Sequence, residues 1–167
     1  DIKPYIQDVN LIALCSPLNP TGTTFSKEIL LKISELVIEE NKRRSNENIK
    51  PLYVLYDQIY WQLTYGETVH YNPVELVPEM RDYTIFVDGI SKAFAATGVR
   101  VGWAFGPSQV ISKMKALLSH IGAWAPKAEQ IATAAYLQQD KHVADYLKHI
   151  KRELNDRLIA FYKGFLK

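Results

Sequence analysis

The sequence predicts an α/β fold, in which a mostly parallel sheet is flanked by helices and the chain ends in a long helix. Four apolar runs of strand length alternate with segments of helical periodicity. Polar residues follow three of these runs closely, which is typical of the carboxyl ends of parallel strands. The chain of 167 residues suits one ordinary domain, and its 47% hydrophobic content is enough for a core.

The first strand and the first helix are separated by a turn-rich loop. The run "LIALCS", residues 11–16, predicts a strand, and "PLNPTGTT" after it predicts a loop. Ser26 is a suitable N-cap for a helix with an apolar face formed by Ile29, Ile33, Leu36 and Val37. We expect this helix to end by about Glu40. The segment "NKRRSNENIK", residues 41–50, then predicts a polar loop with solvated charges.

The remaining elements follow in the same alternating order. Three more apolar runs predict strands at 51–57, 83–88 and 100–106. Helical patterns then predict helices at about 108–119, 127–139 and 141–167. The last helix has apolar residues at near-heptad spacing, which we expect to be buried: Val143, Leu147, Ile150, Leu154, Leu158 and Phe161.

Composition argues against several classes of function. The net charge is only +2, and no basic stripe with interleaved aromatic residues predicts nucleic-acid binding. No apolar run reaches membrane-spanning length, so we expect no membrane partner. The single cysteine, Cys15, predicts a buried thiol and a reducing, cytoplasmic location. The four histidines have no ligand spacing that would predict a metal site, and we expect them at the surface.

Five polar residues near the strand ends have an ordinary structural interpretation when each is taken alone. Asn19 precedes a proline and is a suitable turn former, and Asp57 is a suitable helix cap. Tyr60 can bury its ring and leave its hydroxyl in water. Lys92 and Arg100 can be surface charges on a loop of small residues. None of them predicts a site by itself.

Taken together, three segments give a more specific prediction. In order, "SPLNPTG", "YDQIY" and "SKAFAATGVRVGW" resemble the motifs of the fold-type I pyridoxal-phosphate aminotransferases of classes I and II. The resemblance spans about residues 5–125. It implies the three-layer large domain of that family and pyridoxal 5'-phosphate as cofactor. It also implies transfer of an amino group between an amino acid, with aspartate as the candidate, and a 2-oxo acid.

The resemblance also implies a role for each polar residue. Lys92 would form a Schiff base with the cofactor aldehyde, and Arg100 would bind the phosphate, a task suited to a planar guanidinium. Asp57 would face the pyridine nitrogen, and Tyr60 and Asn19 would donate hydrogen bonds to the phenolate oxygen. Ser91 is a further candidate for the phosphate. The family often has a serine three residues before the lysine, where this chain has Gly89.

The family's enzymes are more than twice as long as this chain. We therefore expect residues 1–140 to be part of a cofactor-binding large domain and residues 141–167 to be a helix leading toward a small domain. We expect this segment alone to be inactive, and the full-length protein to be a homodimer, because "SHIGAWAPKAEQ" (119–130) looks exposed and apolar. Two alternatives remain: another pyridoxal-phosphate reaction, such as that of a lyase or decarboxylase, or a ligand-sensing domain of a regulator.

Overall fold

The computed structural model describes residues 2–166. Asp1, where the predicted large-domain segment begins, and Lys167, where the predicted last helix ends, lie outside the described residues. Four strands form one sheet in the order β1–β2–β3–β4. They are β1 (Leu11–Cys15), β2 (Tyr53–Asp57), β3 (Thr84–Gly89) and β4 (Gly102–Phe105). The first three strands are parallel, and β4 runs antiparallel to β3. The predicted α/β class and the mostly parallel sheet are therefore confirmed.

Five α-helices accompany the sheet in the described part of the chain. They are α1 (Lys27–Asn46), the short α2 (Pro73–Leu76), α3 (Ser108–Ile121), α4 (Lys127–Leu137) and α5 (Asp140–Phe165). Three short 3-10 helices lie at Lys3–Tyr5, Pro78–Asp82 and Thr97–Val99. None of these helices is both long enough and apolar enough to cross a lipid bilayer.

The core lies between α1 and the parallel part of the sheet. Tyr56, Val54 and Leu52 on or beside β2 are fully buried, as are Leu30 and Val37 on α1. The same cluster includes Ile6, Met80 and Phe86. Strand β2 has neighbours on both sides, which explains why alternate residues along it are buried so completely.

Helix α1 is longer than the sequence predicts. Ser26 caps it as expected, because its hydroxyl accepts a hydrogen bond from the Ile29 amide at 3.3 Å. The helix continues past Glu40 to Asn46, and Ile29 is 52% exposed although the pattern placed it on the buried face. The prediction of a solvated loop at 41–50 is therefore wrong for its first six residues.

Buried polar contacts explain this extension of α1. Asn41 exchanges two hydrogen bonds with the backbone of Leu52, one donated by its side chain (3.0 Å) and one accepted (2.8 Å). Arg44 is 1% exposed and forms a salt bridge with Glu40, and its guanidinium also donates to the carbonyls of Ile6 and Val9. Because these polar side chains form hydrogen bonds inside the fold, the segment stays helical and is not a solvated loop.

The long helix α5 is present, but its predicted apolar face is only partly buried. Four residues of that face are half-buried: Val143, Leu147, Ile150 and Leu154. None is fully buried, and Leu158 and Phe161 are 54% and 67% exposed. Heptad spacing identifies which residues share a face of a helix, but it does not supply a partner for that face. The division at about residue 140 into a body and a helix toward a small domain stays a prediction.

Candidate functional site

The parallel strands end side by side, and this arrangement places the first two motifs next to each other. Cys15, the last residue of β1, is in register with Asp57, the last residue of β2, which is itself paired with Val87 of β3. The loop containing Asn19 leaves β1 at this edge, and the turn containing Tyr60 leaves β2 there. Ligands of open α/β sheets bind at such carboxyl ends.

Asn19 and Tyr60 line one cavity of about 410 Å³. The rest of its lining is mostly apolar: Pro17, Leu18, Pro20, Gly22, Leu63, Tyr65 and Leu158. Leu158 belongs to α5, so the cavity lies between the sheet edge and the long helix. Lys92, Asp57 and Arg100 are not among the lining residues of this cavity.

Lys92 lies against Tyr60. Its Nζ atom is 5.8 Å from the centroid of the Tyr60 ring, within the range of a cation–π contact. Both side chains are half-buried. The amine is thus held at the strand ends beside the turn that follows β2.

Asp57 lies at the base of that turn. Its Oδ1 atom accepts a hydrogen bond from the Ile59 amide at 3.0 Å, and the Gln58 amide donates to the Val87 carbonyl at 3.0 Å. The ordinary interpretation of Asp57 as a capping residue therefore describes one of its contacts. These bonds fix the start of the turn to both β2 and β3, which places Tyr60 close to the end of β3.

The loop from Ser91 to Arg100 has an unusual backbone. Ala95 and Arg100 have positive φ angles of 49° and 63°, which non-glycine residues rarely adopt. The loop is held by internal hydrogen bonds: the Thr97 hydroxyl donates to the Ser91 carbonyl at 3.0 Å, and the Ala95 amide donates to the Lys92 carbonyl at 3.1 Å. A strained loop that is fixed in this way is a common feature of functional sites.

Arg100 and Ser91 form hydrogen bonds within their own loop, both with Thr97. Arg100 is exposed, and its Nη1 atom donates to the Thr97 carbonyl at 2.9 Å. A guanidinium has five N–H donors, so this bond leaves capacity for an anionic ligand. Ser91 is half-buried and precedes Lys92 in the same loop.

Gly89 has a packing explanation. It pairs with Gly102 across β3 and β4, and a Cβ atom at Gly89 would lie 3.0 Å from the Gly102 Cα and 3.0 Å from the Val101 carbonyl oxygen. There is no room for a serine side chain at this position without a shift of β4. The departure from the family pattern therefore follows from the close approach of these two strands.

Three residues close to this site have contacts that the sequence motifs do not predict. Trp61 donates from Nε1 to the Asp88 carboxylate at 2.8 Å, and Asp88 is 8% exposed. His70 is not a surface residue, since both of its ring nitrogens are buried without a hydrogen-bond partner. Burial raises the pKa of Asp88 and lowers the pKa of His70. A carboxylate within the apolar run "IFVDG" was the available signal for Asp88.

Cys15 was predicted as a buried thiol, and the structure shows it half-buried. It donates from Sγ to the Pro17 carbonyl at 3.3 Å. Burial raises the pKa of this thiol, and the nearby Asp57 carboxylate adds to that shift. Among residues 2–166, no cluster of three or more histidine, cysteine or acidic side chains is arranged to hold a metal ion.

Comparison with known proteins supports the resemblance seen in the sequence. The sequence profile of the family "Aminotransferase class I and II" matches residues 2–167. The chain is 36% identical over 114 residues to an aspartate aminotransferase of Streptomyces avermitilis, covering 68% of this chain and 26% of the relative. It is 31% identical over 152 residues to an aspartate aminotransferase of Geobacillus stearothermophilus, covering 89% and 36%.

Solved structures have the same fold. An aspartate aminotransferase from Thermus thermophilus with maleate superimposes with a TM-score of 0.86 at 27% identity, covering 99% of this chain and 40% of that one. An aromatic aminotransferase from Pyrococcus horikoshii gives a TM-score of 0.84 at 27% identity, covering 97% and 40%. The chain thus spans between about a quarter and two fifths of these relatives. On the profile match and these identities, it belongs to the class I and II aminotransferase family.

Proposed function

We propose that the full-length protein is a pyridoxal-phosphate-dependent aminotransferase that transfers an amino group between an amino acid and a 2-oxo acid. The observation that supports this most directly is the position of the Lys92 amine, 5.8 Å from the centre of the Tyr60 ring at the end of the sheet. A lysine amine held over a tyrosine ring at the end of a sheet is a suitable nucleophile and proton carrier for carbonyl chemistry. The names of the relatives agree with this reaction.

The donor set suits the cofactor. Lys92 would hold its aldehyde carbon, and Arg100 would bind its phosphate, with Ser91 as a further hydroxyl donor. The Asp57 carboxylate would accept a hydrogen bond from the protonated ring nitrogen. Pyridoxal phosphate, when bound, supplies an electron-withdrawing ring that accepts the electron pair released from the substrate Cα–H bond.

Tyr60 and Asn19, which line the cavity, would act on a different group of the cofactor, the phenolate oxygen. Tyr60 and Asn19 line the same cavity, so the hydroxyl of one and the amide of the other can donate to a single oxygen, the ring phenolate. Lys92 Nζ would be the base that takes the proton from the substrate Cα. The mostly apolar lining of the neighbouring cavity would limit water around Tyr60 and Asn19.

Lys92→Ala in the full-length protein tests this assignment. We expect wild-type protein to transfer the amino group of aspartate to 2-oxoglutarate, and the variant to lose this activity by at least about a hundredfold, because the positioned base is absent. Lys115→Ala, on α3, is the matched control and should keep the activity. A Lys92→Ala variant as active as the wild type would overturn the proposal.

We also infer that the full-length protein is a homodimer. Around the segment 119–130, three large apolar side chains are strongly exposed: Ile121 (63%), Trp124 (48%) and Ile131 (60%). An apolar patch of this kind is typical of a protein interface. We expect sedimentation of the full-length protein at micromolar concentration to give a dimer, and Trp124→Glu to shift it toward monomer. A wild-type monomer under these conditions would contradict the inference.

A further inference from the structure

Trp61 and Asp88 form a hydrogen bond between two different parts of the site. The indole Nε1 donates to Asp88 Oδ2 at 2.8 Å, while the other carboxylate oxygen accepts from the Gly89 amide at 2.7 Å. Asp88 is only 8% exposed, so its two oxygens depend on these donors in place of water. When it is ionised, a carboxylate can only accept hydrogen bonds, so Asp88 suits a position between the Trp61 indole and the Gly89 amide, which both donate.

The two partners flank the residues of the candidate site. Trp61 directly follows Tyr60 in the turn after β2, and Asp88 lies on β3, four residues before Lys92. The Trp61 amide donates to the Gln58 carbonyl at 2.9 Å, so the turn itself is short and closed. A bond at Trp61 therefore fixes the position of its neighbour Tyr60 relative to the strand that leads to Lys92.

The other side of Trp61 is covered by buried aromatic groups. The His70 ring lies 6.2 Å from the Trp61 ring and 6.0 Å from the Tyr56 ring, between centroids. The Tyr56 hydroxyl is anchored on the Tyr71 carbonyl at 2.7 Å. Trp61 thus lies between the His70 ring, which packs near Tyr56, and the Asp88 carboxylate. It is nevertheless 38% exposed.

We propose that the Trp61–Asp88 hydrogen bond is a positioning contact that holds the Tyr60 ring against the amine of Lys92. Tyr60 would otherwise depend on its own turn for its orientation. The contact of an ammonium with an aromatic face needs the ring to be both near and correctly turned. Trp61 and Asp88 are not among the residues that line the cavity beside Tyr60, so they would act through Tyr60.

This inference rests on the proposed function for its importance in catalysis. The experiment that tests it needs no cofactor. The cofactor-free full-length protein is treated with a small amount of an acetylating reagent at constant pH. The acetylation rate of each lysine is then measured by mass spectrometry of its peptide. The Tyr60 ring lies 5.8 Å from the amine and covers one side of it, so release of the ring increases the acetylation rate. Exposed Lys148 on α5 is the internal reference.

We expect Trp61→Phe, Asp88→Leu and Tyr60→Ala each to accelerate acetylation of Lys92 by about two- to fivefold relative to Lys148, which is the factor that a weak cation–π contact provides. Trp61→Phe should have no further effect in the Tyr60→Ala background. The control, Tyr162→Phe at a position on α5 that is 64% exposed, should leave the Lys92 rate unchanged. If Asp88→Leu does not fold, the proposal is tested by Trp61→Phe alone and by Trp61→Phe combined with Tyr60→Ala.

Two results would overturn the proposal. One is an unchanged Lys92 rate in folded Trp61→Phe. The other is an equal acceleration by Trp61→Phe with and without Tyr60, which would show that Trp61 does not act through that ring. Neither result bears on whether the protein transfers amino groups. Conversely, a protein without that activity can still show the expected coupling.

Discussion

The Nε atom of Arg44 lies 2.6 Å from Oε1 of Glu40, and this ion pair is almost completely removed from solvent. The same guanidinium donates to backbone carbonyls of the N-terminal segment, including that of Val9 at 2.7 Å. Arg44 therefore joins the end of α1 to the residues that precede β1.

We expect Arg44→Met to destabilise the protein by about 3–5 kcal/mol, because it removes one of the two arginines that pair with the buried Glu40 carboxylate and leaves several backbone carbonyls without their donor. The measurement is urea denaturation followed by circular dichroism. Arg152→Met on α5, where the arginine side chain is 68% exposed, should change the free energy of unfolding by less than about 0.5 kcal/mol. Equal stability of Arg44→Met and wild type would mean that this buried pair does not stabilise the fold.

The acid stability of the protein should depend on Glu40. Hydrogen bonds from Arg43 and Arg44 lower the pKa of Glu40 from 4.5 to about 2. Because the folded pKa lies below the unfolded one, the stabilisation is present above pH 4.5 and is lost as the pH falls toward 2. Glu40→Gln should flatten the pH dependence of the unfolding free energy in this window, whereas Glu39→Gln should not. Identical slopes for wild type and Glu40→Gln would contradict the assignment.

His70 gives a second pH dependence, at higher pH. Burial lowers its pKa below the usual 6.5, so the unfolded chain binds a proton more readily than the folded one. Stability should therefore fall as the pH decreases below about 6.5. His70→Phe should reduce this loss between pH 6.5 and 5, and His142→Phe, at an exposed position on α5, should leave it in place. A His70→Phe variant with the wild-type pH profile would rule out His70 as its source.

Gly89→Ser tests the close approach of β3 and β4. The new Cβ would lie 3.0 Å from the Gly102 Cα, so we expect a loss of about 1–3 kcal/mol in the free energy of unfolding. Gly98→Ser is the matched control, since no heavy atom outside its immediate chain neighbours lies within 4 Å of a Cβ there. Thermal unfolding of the two variants side by side is sufficient. Similar midpoints would show that β4 can move away from β3 at little cost.

Local patterns in the sequence predict the strands and most helices well, because apolar runs and periodicity are properties of neighbouring residues. The end of α1 was predicted wrongly, since two of the carbonyls that Arg44 binds, those of Ile6 and Val9, lie more than 30 residues away along the chain. The burial of α5 was predicted only partly correctly, for a related reason. Its apolar face can be seen in the sequence, but the element that would cover it cannot.

The site shows the same limit. The motifs around Asn19, Asp57 and Lys92 are contiguous in sequence, so the family resemblance identifies them. The bond between Trp61 and Asp88 joins residues 27 positions apart, and neither belongs to a recognised motif. Only the pairing of β2 with β3 brings them into contact. The roles assigned to the five polar residues stay predictions, as does the cytoplasmic location.

The measurement that tests the central claim most directly is the location of the bound cofactor. Full-length protein is incubated with pyridoxal phosphate and reduced with borohydride, and its lysine peptides are analysed by mass spectrometry. We predict the cofactor mass on Lys92, at close to one equivalent per chain, and its loss from that peptide in Lys92→Ala without gain elsewhere. Labelling spread over exposed lysines such as Lys148, with Lys92 unmodified, would contradict the account.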